Sequence, residues 1–135
     1  MADKIKGVLP SQSIKKLITD LNIISNQKEI SSAQIQPASL DLRLGDTAYR
    51  VRASFLPGKK LRVEDRLNDF AMHKIDLRSG AVLEKGCVYI VPLIESLNLP
   101  LNITAASNAK SSTGRLDLLT RIIIAVSYTH LRAHE

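Results

Sequence analysis

Six consecutive residues, Lys110-Ser-Ser-Thr-Gly-Arg115, concentrate two cations, three hydroxyls and a glycine in one short stretch. Those are the parts of a phosphate cradle. Lys and Arg supply charge-assisted hydrogen bonds, Ser and Thr shorter ones, and a glycine lets the N–H groups of a tight turn approach an anion. The block is not a Walker A loop, because Gly-x-x-x-x-Gly-Lys is absent. A polar β-turn with incidental charge is the competing reading of the same residues.

Other residues of chemical interest read more plainly. The single cysteine, Cys87, rules out an intramolecular disulfide framework and a Cys-rich zinc site. It lies in the apolar run Cys87-Val-Tyr-Ile-Val91 and is expected to pack there rather than act as a nucleophile. His73 follows a mixed segment and is expected on the surface. Asp41 is expected as a solvated or internally bonded carboxylate. Glu84 and Glu95 carry no signal that promotes either to a general base.

Nineteen Lys and Arg against 13 Asp and Glu give a net charge of +6, which favours an anionic partner. Two Phe, three Tyr and no Trp leave little to stack on bases, so nucleic acid is not the expected partner. A compact anion such as a triphosphate suits the composition. The longest apolar run, residues 122–126, is far shorter than the roughly 20 residues of a membrane helix. With no apolar leader at the start, the expected compartment is the cytoplasm and no membrane partner is implied.

Residues 126–135, Val-Ser-Tyr-Thr-His-Leu-Arg-Ala-His-Glu, break with everything before them. They read as a transposase adapter from a sequencing library translated in frame. His130 and His134 stand four apart, the spacing of a helical metal pair, but a translated adapter carries no selected chemistry. The expected organisation is therefore one domain over residues 1–125, incomplete at its C-terminal end, followed by a non-native tail.

The elements that must position the Lys110 block are mostly short strands. Ile14, Leu17, Ile18 and Leu21 recur at helical spacing behind Ser11 and Ser13, both plausible N-caps, predicting a helix over residues 11–21. Leu40, Leu42 and Leu44 alternate with Asp41 and Arg43, predicting a strand ended by Gly45. Tyr49 and Val51 then read as the second arm of a hairpin over Gly45-Asp46. Phe55-Leu-Pro-Gly58 has turn chemistry, and residues 50–66 carry six basic and two acidic residues. One or two helical turns are expected within residues 63–72. Ile75-Asp-Leu and Ala81-Val-Leu read as strands around Ser79-Gly80, and Cys87 to Val91 as a buried strand after the Lys85-Gly86 turn. Residues 95–100 are expected to bend the chain into a further strand at 103–106. Such spacing predicts a mainly β barrel or sandwich with one or two short helices.

Four blocks in this order make the sequence recognisable: Gly7-Val-Leu-Pro10, Gln36-Pro-Ala-Ser-Leu-Asp-Leu-Arg-Leu-Gly45, Ala48-Tyr-Arg-Val-Arg52 and Lys110-Ser-Ser-Thr-Gly-Arg115. They resemble the 2′-deoxycytidine 5′-triphosphate (dCTP) deaminases, most closely the N-terminal part of the longer bacterial members with two such domains in one chain. The resemblance covers roughly residues 7–122. It implies the distorted β-barrel shared with dUTP diphosphatases, and homotrimers whose sites lie between subunits.

The resemblance also implies roles for matched residues. Ser111 and Arg115 occupy the catalytic positions of the family's Arg-Ser-Ser-x-x-Arg block, where the Ser helps hold the attacking water and the Arg sets the charge around it. Lys110, Ser111, Ser112 and Arg115 become the substrate-binding set. Lys110 departs from the Arg of the family's single-domain members, keeping a charge while losing the bidentate fork. The implied reaction is dCTP plus water to dUTP plus ammonia, without zinc, the His-x-Glu and Pro-Cys-x-x-Cys signature being absent. Mg2+ would arrive on the triphosphate. The family's general-base glutamate lies downstream of the Ser-Ser block, so the 135-residue chain is expected to be inactive by itself. A dUTP diphosphatase-like hydrolase and a non-catalytic nucleotide-binding or trimer-building half are the alternatives.

Overall fold

The computed structural model describes residues 6–25, 27–52, 67, 71–123 and 131–133. Its elements run α1 (Ser11–Thr19), β1 (Ile23–Ser25), a 3₁₀ turn (Ser32–Gln34), β2 (Thr47–Val51), β3 (Ala71–Asp76) and β4 (Val88–Ile90). β5 (Glu95–Leu97), β6 (Ala105–Ser107), α2 (Ser111–Arg115) and β7 (Leu131–Ala133) complete the order. Among the described residues the fold is mainly β, with α1 and α2 as short helices. Among the described residues the strands form three small sheets, of order β1-β5, β3-β2-β4 and β6-β7, none of them closed into a barrel. The described residues cluster into two compact units. One holds residues up to Gly45 together with Pro92–Asn98; the other holds Asp46–Val91 and the residues from Leu99 onward.

In the first unit, α1 turns Ile14 and Leu17 into the core and leaves Lys15 and Lys16 exposed. The N-cap is Pro10, not Ser11 or Ser13: its carbonyl accepts from Ser13 and Ile14 N–H at 3.0 and 3.1 Å, with no side-chain cap. Proline's fixed φ already suits a helix entry, so no serine is needed there. The helix stops in a Schellman motif. Asn22 N–H reaches Leu17 O at 2.9 Å and Leu21 N–H reaches Ile18 O at 3.2 Å, with Leu21 left-handed at φ 61°. That conformation costs a side-chain-bearing residue roughly 1–2 kcal/mol. Leu21 is 68% exposed and contributes little burial in return. Leu21→Gly is therefore expected to stabilise the chain by about 0.5–1 kcal/mol after glycine's own entropic cost, read as a higher urea midpoint.

The segment read as the first arm of a hairpin behaves differently. Leu40 bridges Ile35, Leu44 bridges Leu93, and residues 41–43 form no strand. Ile94 N–H donates to Arg43 O at 3.0 Å and Gly45 N–H to Pro92 O at 2.7 Å. Distant chain, around residues 92–94, thus took the pairing assigned by sequence to residues 46–51. The glycine is needed for this close approach: a Cβ at Gly45 would lie 2.7 Å from Pro92 O, a backbone atom. Gly45→Ala is expected to cost about 1–3 kcal/mol through that overlap, measured by chemical denaturation. β5 occupies Glu95–Leu97, where a bend was expected, and pairs antiparallel with β1 in the register Ile23↔Leu97 and Ser25↔Glu95.

In the second unit, β2 is the central strand, antiparallel to β3 on one side and β4 on the other. Ala48 and Val51 are buried, three residues apart rather than two. A register shift between Arg50 and Val51 explains the spacing, since a bulge moves one residue out of the alternation. Leu67 is buried as well. Ile75 and Asp76 lie in β3 as expected, but residues 81–83 form no strand, and Val82 is 91% exposed. Lys85-Gly86 does turn, with Gly86 at φ 78°. β4 follows at the sheet edge, so Val88 is 40% exposed where a fully buried strand was expected. The turn read at Phe55-Leu-Pro-Gly58 lies outside the described residues. Of residues 63–72, Leu67 is helical while Ala71 and Met72 already belong to β3.

Candidate functional site

The Lys110 block folds as a single exposed helical turn rather than a tight β-turn. Lys110 is extended at φ −65°, ψ 140°, and its carbonyl accepts from Thr113 N–H at 3.0 Å and Gly114 N–H at 3.3 Å. Ser111 and Ser112 thus contribute the first N–H groups of α2, which have no carbonyl inside the helix to receive them. No residue of α2 is buried. Ser111 and Arg115 stand four apart and so share one face of the turn, while Ser112 is rotated about 100° from Ser111. Gly114 sits in the helix, where a Cβ would meet nothing within 4 Å. Its conformational freedom is not used.

The turn is closed by a second Schellman motif. Leu118 N–H bonds Thr113 O at 3.3 Å and Asp117 N–H bonds Gly114 O at 3.0 Å, with Asp117 left-handed at φ 61°. Asp is one of the few side chains that tolerates this conformation. Leu116 and Leu119, immediately after the helix, are 74% and 102% exposed.

The other residues singled out by sequence are dispersed. His73 is exposed on β3, as expected. Cys87 is half-buried, and its Sγ donates to Glu84 Oε2 at 3.6 Å. Glu84 also pairs with Arg50 at 3.0 Å. Asp41 accepts from Gln36 Nε2 at 3.4 Å, an internally bonded carboxylate. His130 and His134 lie outside the described residues. Among the described residues no group of three or more His, Cys, Asp or Glu could hold a metal ion, and no helix is long and apolar enough to cross a membrane.

Sequence reasoning missed the polar centre of the first unit. The Glu95 side chain is fully buried and accepts from Arg43 N–H at 2.8 Å, Arg43 Nε at 2.7 Å and Gln34 Nε2 at 2.8 Å. Arg43 extends further, donating from Nη2 to Lys28 O at 2.6 Å and Ser25 Oγ at 3.2 Å. Gln34 adds a bond to Asp41 O at 2.9 Å and accepts Ser31 N–H at 3.0 Å. Burial pushes the Glu95 carboxyl up, but the Arg43 and Gln34 donors outweigh it and hold it below the ordinary value. In the second unit, Arg78's side-chain and backbone donors bring exposed Asp76 down to about 2. These are structural carboxylates, each occupied by donors.

The sequence model described as the 2′-deoxycytidine 5′-triphosphate deaminase (DCD) N-terminal domain matches residues 5–133. A crystal structure of 2′-deoxycytidine 5′-triphosphate deaminase from Agrobacterium tumefaciens is similar at a TM-score of 0.84 and 54% identity. That similarity covers 89% of this chain and 36% of the other. Among curated relatives, a "dCTP deaminase, dUMP-forming" of Corynebacterium glutamicum is 31% identical over 118 residues, covering 84% of this chain and 58% of the relative. One of the same name from Dictyoglomus turgidum is 26% identical over 117 residues, covering 83% and 58%. The chain thus spans a little over half the length of these curated relatives. With a family match across nearly its whole length and a mainly β fold shared with a solved member, the chain belongs to the dCTP deaminase family and corresponds to its N-terminal domain.

Proposed function

We propose that the protein containing this chain converts dCTP and water to dUTP and ammonia, and that residues 110–115 supply part of its nucleotide site. The observation carrying this reading is the 54% identity to the Agrobacterium tumefaciens deaminase, spanning 89% of the chain. The reaction forms a bond from water oxygen to C4 of cytosine, then breaks the C4–N bond so that the amino group leaves as ammonia. Ser111 holds the attacking water and Arg115, on the same face of α2, sets the charge around it. Lys110 and Ser112 meet the triphosphate, whose Mg2+ travels as part of the substrate, bound by phosphate oxygens and water. The general base comes from outside residues 1–125, the proposed native portion of the chain, and residues 126–135 take no part.

Several broader assignments belong to the same reading. The completed domain closes its strands into the distorted barrel and assembles as a homotrimer in the cytoplasm. It handles free nucleotide rather than nucleic acid. The names of the Corynebacterium and Dictyoglomus relatives favour a second product, dUMP, released with pyrophosphate after deamination. Chromatography of dCTP incubated with the completed protein tests both readings. Ammonia with dUTP supports simple deamination, ammonia with dUMP supports the longer sequence, and unchanged dCTP contradicts both.

A further inference from the structure

Away from the Lys110 block, cations and apolar side chains also meet in a concavity of the second unit. A cavity of about 290 Å³ lies at the bulged end of β2, flanked by Arg50 and Arg52, with Met72, Val88 and Cys87 in its lining. Met72 and Val88 are 47% and 40% exposed, so the apolar lining faces solvent. Arg50 is held from one side by Glu84, through Nη1 at 3.0 Å. A guanidinium carries five N–H donors, so one such contact leaves most of the fork for another acceptor. Among the described residues Arg52 has no hydrogen-bond or ion-pair partner.

We propose that this groove is a second anion site, which takes a small organic phosphate with an apolar body. Three features select that class. Arg50 and Arg52 both line the groove at the bulged end of β2, and two guanidiniums together suit several oxygens of a phosphate better than one carboxylate. The exposed Met72 and Val88 side chains offer dispersion contact to a ring or alkyl body, which inorganic phosphate lacks. The volume is close to the lower end of the range for small-molecule sites. None of its residues belongs to α2, so the site stands or falls independently of the deaminase reading.

Cys87 makes the proposal testable, because it lines the groove and is the only thiol in the chain. The probes are phenyl phosphate, inorganic phosphate and phenol, and the readout is the rate of Cys87 alkylation by neutral iodoacetamide on the 135-residue chain. Phenyl phosphate is expected to slow alkylation, with half-protection at a concentration at least tenfold below that of inorganic phosphate or phenol. Arg52→Gln, with protection scored relative to its own unprotected rate, should raise that concentration at least fivefold, an unchanged urea midpoint showing that the fold around the groove survives. Absence of protection, equal protection in Arg52→Gln, or protection by phenol as good as by phenyl phosphate would each overturn the proposal. Protection lost in Lys110→Ala instead would place the anion at α2 and overturn it as well.

Discussion

Glu95→Ala is expected to destabilise the chain by about 3–5 kcal/mol, the range for removing one member of a buried ion pair. The alanine leaves Arg43 without its carboxylate and removes the acceptor of one Gln34 Nε2 N–H, which Glu95 Oε1 receives at 2.8 Å, while the other keeps Asp41 O. Three stretches of chain lose their common anchor: the 3₁₀ turn, the segment around Arg43 and β5. The charge itself need not be net stabilising. Replacing both partners by methionine is expected to recover most of the loss, because an apolar pair removes the unpaired guanidinium together with the carboxylate. Urea unfolding of the single and double variants measures this directly. A double variant as unstable as Glu95→Ala would show that the individual hydrogen bonds, not the unpaired charge, dominate.

The same carboxylate sets a pH dependence. Its folded-state value is lowered from 4.5, so the folded protein binds fewer protons there than the unfolded chain. Its contribution is complete above about 4.5 and is lost as pH falls through the lowered folded value. Stability between pH 7 and 5 should be flat in this respect, with the decline below 4.5 shallower in Glu95→Ala.

Lys110→Ala and Arg115→Lys are expected to fail in different ways in the completed protein. If Lys110 meets phosphate, its loss weakens dCTP binding by about 1.5–3 kcal/mol, the range for a hydrogen bond to a charged group. The penalty shrinks for deoxycytidine, which has no phosphate to contact. Arg115→Lys keeps the charge but loses the planar fork, so kcat should fall by roughly 10–100-fold with less change in Kd. Equal losses of nucleotide and nucleoside binding in Lys110→Ala would assign Lys110 to folding rather than to the triphosphate.

Local patterns were readable in the sequence wherever neighbours in the chain settled them. The apolar spacing of Ile14 and Leu17 produced α1, and Lys85-Gly86 produced its turn, because each depends on a few adjacent residues. Pairing over long range was not readable. Leu40 to Leu44 alternate as a strand should, yet partnership with residues 92–94 decides what that segment becomes. Burial showed the same limit: Val88 has strand chemistry but lies on a sheet edge, which β-branching alone does not reveal.

The candidate site divides similarly. Residues 110–115 were recognisable from composition because hydroxyls and cations there are contiguous, although a glycine in the block suggested a tight turn instead of helix. Arg43 and Glu95 were invisible as partners. They are 52 residues apart, and Arg43 sits on the polar side of an alternating pattern, where a solvated charge is the ordinary expectation. The available signal was Arg43's place inside a recognisable block, which marks the residue without naming its partner.

The central claim is that this chain brings Ser111 to a deamination site completed by residues beyond it. The most direct test joins residues 1–125 to the remainder of the Agrobacterium tumefaciens deaminase and measures ammonia release from dCTP, with Ser111→Ala alongside. The expected result is turnover in the joined protein and a fall of about 10²-fold or more in Ser111→Ala, the scale of a group that positions and activates the reacting water. Undiminished turnover in Ser111→Ala would contradict the account, placing the attacking water in the care of other residues.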